Sequence, residues 1–285
     1  MQVPWPPDSL ADPAPAGAGV GPSAAAANVR ARRRAGISAN MVRLVSLVVV
    51  LLVWEVYGRG VSPIFFTYPV AIAQALIELT VSGELWSFFQ LSLKVLLGGL
   101  FFATLVGIPL GVLMARFRFF EYATDMYVSA LYATPLVAVI PLLILWFGID
   151  EKAKIIIVFL FSIFPIIINT YQGVKSVDPR LLEVARSFVS KEHELWVDVV
   201  IPSSTPFIVA GLRLAVGRAL VGAVVADFLT SISGLGYMIV KYASAYQTAK
   251  LFVPIVVLMF LGVTLMEGLK LVQARLAPWT SPETE

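Results

Sequence analysis

Long apolar runs separated by short polar stretches fill most of the chain. A helix needs roughly 20 apolar residues to cross a bilayer core. Runs meeting or nearing that length occupy 41–58, 91–114, 126–149, 155–172, 205–229 and 251–269. Arg43 and Glu55 sit near the ends of the first, while the third and fourth carry no charge. β-branched residues abound in these runs, yet their length is wrong for strands, and a lipid-exposed span must satisfy its own backbone, as a helix does. Pro109, Pro135, Pro141, Pro165 and Pro254 fall in or at the start of these runs, and packed membrane helices tolerate them. The pattern predicts an all-α integral membrane protein with about six transmembrane helices. The stretch 69–80 reads as a short amphipathic or interfacial helix.

Three units follow: a disordered basic tail over 1–40, a transmembrane domain over 41–275 and a C-terminal tail over 276–285. The first 29 residues are rich in Pro, Ala and Gly and lack the apolar core of a signal peptide. Arg30, Arg32, Arg33, Arg34 and Arg43 then form a cytosolic anchor before the first span. If the N-terminus is cytoplasmic, inner segments also collect Arg116, Arg118, Lys175, Arg180, Arg186, Lys191, Lys270 and Arg275. Outer ends and loops keep Arg59, Lys94, Lys152, Lys154, Lys241 and Lys250. That bias places both termini in the cytosol. Gly107 and Gly111 form a GxxxG, read as close packing within one bundle.

Composition agrees with lipid as part of the solvent: 59% of residues are hydrophobic, 14% are charged and the mean hydropathy is +0.87. A net charge of +3 is too diffuse for nucleic acid. With no cysteine and a single histidine, His193, thiolate chemistry and a multi-histidine metal cage are excluded. His193 itself reads as a solvated loop residue. No phosphate-cradling G-x-x-x-x-G-K-[ST] occurs, so ATP hydrolysis is not expected on this chain. The spans hold few ionisable groups, with Asp150, Glu151, Asp227 and Glu267 scattered, so the chain is not expected to be an enzyme or to bind a cofactor.

The polar stretch 173–203 differs from the other connections. Asp178 followed by Pro179 is a helix start, with a carboxylate for orphan N–H groups and proline at the first position. Leu181, Leu182, Ala185, Phe188 and Val189 then fall on one side, edged by Arg180, Glu183 and Arg186. Leu195, Trp196 and Val199 continue the apolar pattern, and Pro202 is expected to end it. Such a helix either floats in the headgroup layer or inserts into a groove on a soluble partner.

This segment resembles the EAA loop of ABC importer permeases. Glu183, Val184 and Ala185 take its opening places, and Ile201–Pro202 closes it. Val189 stands where the family has glycine, which suggests a straighter loop. "LSLKVLLGGLFFATLVGIPLGVLMA" (91–115), "TPLVAVIPLLILWFGIDEKAKI" (134–155), "FPIIINTYQGVKSVDP" (164–179), "GLRLAVGRALVGAVVADF" (211–228) and "GLGYMI" (234–239) are similar to the nitrate/sulfonate/taurine branch. The resemblance spans about 44–275. It implies a multi-pass plasma-membrane (inner-membrane) protein paired with a second permease copy as a homodimer. A cytosolic ABC ATPase dimer would use the ATP and Mg, and an extracytoplasmic binding protein would deliver the solute.

Within that reading Leu182, Glu183, Ala185, Arg186, Phe188, Val189 and Pro202 are the ATPase-coupling candidates. Glu183 would be the polar anchor, with Leu182, Ala185 and Phe188 supplying apolar burial. Arg213 and Arg218 in the fifth run are costly in lipid, about 2.5–3.5 kcal/mol each at a helix centre. With Asp227 they are the pathway candidates, suited to a small anion such as a sulfonate, taurine or nitrate. Alternatively, Arg213 snorkels and Arg218 pairs with a carboxylate of another helix. Gly234, Leu235 and Gly236 are gate-loop candidates, or simply a turn capping the span. A thiamine-precursor pyrimidine as solute, an ATPase-independent transporter and an integral-membrane enzyme are the competing readings.

Overall fold

The computed structural model describes residues 39–230 and 232–276, all helix and connecting turns. Of the expected tail over 1–40, residues 1–38 lie outside the described residues and 39–40 are helical; of the expected C-terminal tail over 276–285, residue 276 ends a helix and 277–285 lie outside them. Among the described residues, five helices are long and apolar enough to cross a membrane, or six if one bent pair counts as a span. The chain divides at Val53 into two units. In the first, α1 (Ala39–Arg59) runs as an apolar helix whose side chains from Met41 to Val53 are exposed.

The second unit starts at Trp54, whose indole N–H donates to the Thr67 carbonyl at 2.9 Å. The 69–80 stretch is helical as expected: α2 (Pro69–Val81) starts on proline and buries Ile72, Ala75 and Leu79. Three long helices make the core. They are α3 (Glu84–Arg116), α6 (Glu151–Lys175) and α8 (Glu192–Thr230). α6 lies between the other two and is buried nearly all round, from Ala153 to Gly173, which is why its sequence is apolar on every side.

Glycines set that packing. A Cβ on Gly99 would lie 2.4 Å from Val158, and one on Gly111 would lie 2.8 Å from Thr170. With Ala103 and Gly107 they give α3 a small-residue face against α6. The GxxxG thus serves packing within one bundle. Gly211 and Gly222 of α8 do the same against Asn169 and Phe161 of α6.

The third expected span is broken. α4 (Arg118–Ala133) and the segment Leu136–Phe147, which includes α5 (Ile140–Phe147), meet at 99°. Thr134 closes α4 through its N–H and hydroxyl on the Ala130 carbonyl. Pro135 forces Thr134 into extended backbone, so the helix cannot continue.

Pro202 does not end a helix, contrary to expectation. It sits inside α8, directly after a π-helical turn over Leu195–Val200. Pro202 has no N–H to give, and the widened turn takes up the missing hydrogen bond and the ring. The segment between α6 and α8 is therefore short and carries only α7 (Pro179–Ser187). Beyond α8, α9 (Leu235–Ser244) and α10 (Thr248–Leu276) pack on α2 through Leu235, Met238, Tyr242 and Val253. α10 also lies along α8.

Candidate functional site

At one end of the second unit, α7 joins the core helices α6 and α8. Asp178 caps it by accepting the Arg180 N–H at 2.9 Å, with Pro179 in the first turn, as the sequence predicts. Its far end is a Schellman turn. The Val189 N–H donates to the Arg186 carbonyl and the Ser190 N–H to that of Ala185. Such a turn needs left-handed backbone at its pivot, and Val189 has φ +58°. Valine therefore bends the loop where the family has glycine, and the straighter loop expected from it is not found.

Leu182 and Ala185 are half-buried and turn toward the π-helical start of α8. The apolar groups left open are Leu181, Val184, Phe188 and Val189, the last two 81% and 88% exposed. Arg180, Glu183 and Arg186 are exposed beside them, and their side chains meet no partner among the described residues. Pro202 lies a full helical stretch away inside α8. His193 is exposed in the first turn of that helix. Around α7, Arg116 lies over the Trp196 ring at 4.9 Å and reaches Glu192 at 3.5 Å. Lys175 pairs with Glu121 at 2.9 Å.

The charged residues of the fifth run separate. Arg218 is exposed, its guanidinium 5.7 Å above the Tyr132 ring, and it meets no carboxylate among the described residues. Arg213 donates to the Gln273 side-chain oxygen on α10 at 2.7 Å. Asp227 is placed elsewhere: it is 4% exposed, sealed inside the opposite end of the bundle. In this conformation its carboxylate faces protein donors and is not presented to a passing solute.

Its partner is Lys154. The ammonium touches Asp227 Oδ1 at 2.7 Å, the Ser233 carbonyl at 2.7 Å and the Ser233 hydroxyl at 3.1 Å. The other carboxylate oxygen accepts the Gly236 N–H at 3.1 Å and the Ser92 hydroxyl at 3.4 Å. Ser92 Oγ in turn accepts the Leu235 N–H at 2.7 Å. Buried charges persist only when paired and hydrogen-bonded, and both are. Lys154, expected at an outer loop, is 3% exposed because α6 starts at Glu151 and draws it one turn into the bundle. Gly234 and Gly236 touch Asp227 so closely that a Cβ would fall 2.2 Å and 2.6 Å from its atoms. The gate-loop candidates are thus more than a capping turn: Leu235 and Gly236 begin a buried helix.

Residues 107–281 match the family model of the binding-protein-dependent transport system inner membrane component. The chain belongs to this family. It is therefore the multi-pass permease component of an ABC importer, and ATP hydrolysis resides on a separate ATPase subunit. Among its relatives is the aliphatic sulfonates transport permease protein SsuC of Bacillus subtilis, 36% identical over 81% of this chain and 84% of that one. The taurine transport system permease protein TauC of Escherichia coli is 31% identical over 82% and 88%. An inward-facing structure of the MetNI methionine ABC transporter shares the fold, with a TM-score of 0.52 at 16% identity over 65% of this chain and 95% of that one.

Lys154 and Ser92 escaped the sequence reading of this permease. One signal was present: a carboxylate at 227 inside an apolar run demands a cation, and Lys94, Lys152 and Lys154 were the cations nearest that end.

Proposed function

We propose that this permease, paired with a second copy of itself, forms the pathway for a small anionic solute and is driven by a cytosolic ATPase dimer docked on α7. The exposed face of α7 carries this reading: four apolar side chains beside three charged ones that nothing among the described residues satisfies. Such a surface suits a groove on a soluble partner, with Glu183 and Arg186 as polar anchors and Phe188 and Val189 as apolar ones. Headgroup burial alone would not require the rigid capping at both ends of the helix. Arg116, Arg118, Lys175, Arg180, Arg186 and Lys191 gather at the α7 end, which supports placing it, with both termini, in the cytosol.

ATP binding closes the ATPase dimer and moves α7. The spans rock in response, and solute delivered by an extracytoplasmic binding protein passes between the two permease copies. Arg218 lies on an open face with, among the described residues, an aromatic ring beneath it, which suits its donors to an anion. The sulfonate and taurine permeases among the relatives support an anionic group on the solute. Gly234, Leu235 and Gly236 open α9 at the far end and would gate entry. Glu183→Lys tests the docking: membrane insertion stays normal and ATP-driven uptake is lost. Full uptake by that variant would remove Glu183 from the mechanism.

A further inference from the structure

α6 and α8 leave opposite sides of α7 and run together to the far end of the bundle. Phe207 against Gly173, Asn169 against Gly211 and Phe161 against Gly222 hold them at close approach along the way. From Lys154 to Lys175, α6 alone is about 32 Å long at 1.5 Å per residue. At the far end, Lys154 of α6 and Asp227 of α8 form the ion pair, and every donor of the ammonium is used. The same two side chains hold the start of α9, through the Ser233 carbonyl and hydroxyl and the Gly236 N–H. Ser92 ties in α3.

We infer that the Lys154–Asp227 pair fastens α9 to the α6–α8 helices as one rigid body, so that movement imposed at α7 reaches α9 at the opposite end. The pair is an anchor and not a latch. A latch needs somewhere else for its charges to go, and Glu151, which lines a small cavity with Lys154 and Asp227, is already engaged by Lys94 at 2.9 Å. Gly234, at φ +98°, brings the start of α9 so close that a Cβ there would fall 2.2 Å from the Asp227 carboxylate, which is pressed against that backbone. Lys154 and Asp227 are positioning residues. The role given to α7 rests on the docking proposed above, whereas the fastening of α9 does not.

The chain has no cysteine, so a spin-label pair can be placed cleanly at Lys152→Cys on α6 and Ser244→Cys on α9, both exposed. The measurement uses the permease assembled with its ATPase in vesicles, with and without ATP. With only a minor fraction of doubly labelled chains mixed with unlabelled ones, so that the two copies rarely both carry labels, the anchor predicts one narrow intra-chain distance that ATP leaves unchanged. In Lys154→Met/Asp227→Leu that distance broadens or shifts with ATP, while co-purification of the ATPase is retained. Ser92→Ala is the second variant, should the double variant fail to fold; it removes the hydroxyl between Asp227 and Leu235 and broadens the distance more mildly. An ATP-dependent shift in the unsubstituted pair, or a distance left narrow in both variants, overturns the inference. Loss of ATPase binding in the unsubstituted chain would sink the docking proposal alone, since the ATP-free distances still judge the anchor.

Discussion

Replacing Val189 by glycine should strengthen the end of α7. Valine at φ +58° is left-handed backbone, where an L-residue places its Cβ against the neighbouring carbonyl oxygen. That conformation costs about 1–2 kcal/mol, and glycine's extra freedom in the unfolded chain takes back about 0.5–1 kcal/mol. The side chain is 88% exposed, so its removal forfeits little packing. The net gain is roughly 0.5–1 kcal/mol, or about a two- to five-fold lower population of the opened last turn. Amide hydrogen exchange at Phe188 reads this directly, because its N–H is held by the Val184 and Ala185 carbonyls. Phe188 also precedes the substitution, so its intrinsic rate does not change. Exchange that is equal or faster in Val189→Gly would refute the claim that Val189 is strained.

Other perturbations give sharp expectations. Gly99→Ala drives a methyl to 2.4 Å from Val158 and should cost about 1–3 kcal/mol in detergent unfolding. Gly268→Ala, with open space around it, is the control and should gain up to about 1 kcal/mol from helix propensity. Asp227→Asn strands the Lys154 ammonium and should cost about 3–5 kcal/mol, more than Lys154→Met/Asp227→Leu, which removes both charges; thermal unfolding of the purified variants ranks them. Arg218→Gln should weaken uptake of an anionic solute roughly ten-fold, about 1.4 kcal/mol of lost attraction, and leave a neutral analogue's uptake unchanged. Equal losses for both solutes would place Arg218 off the path.

Much of this arrangement is legible in the chain because membrane physics writes it plainly. Uncharged runs too long for strands announce spans, and Asp178–Pro179 announces the start of α7. Other features escape for identifiable reasons. Hydropathy measures composition and not direction, so the 99° break at Thr134–Pro135 looks the same as a continuous crossing. Pro202 reads as a stop only under α-helical geometry, and the π turn before it removes that constraint. Lys154 lies at the edge of an apolar run, where a loop cation and a helix cation look alike; only the partner at 227, across two helices, separates them. On α7, the repeat places Leu182 and Ala185 beside Phe188, but the chain turns the first two inward against α8.

The central claim is that the open face of α7 is the surface that receives the ATPase. A photoreactive amino acid in place of Phe188, the exposed aromatic side chain on that face, tests it inside membranes that contain the whole transporter. Illumination should join this chain to the ATPase subunit, and the Glu183→Lys substitution should diminish that product. Adducts to lipid alone, with the ATPase present and active, would contradict the account.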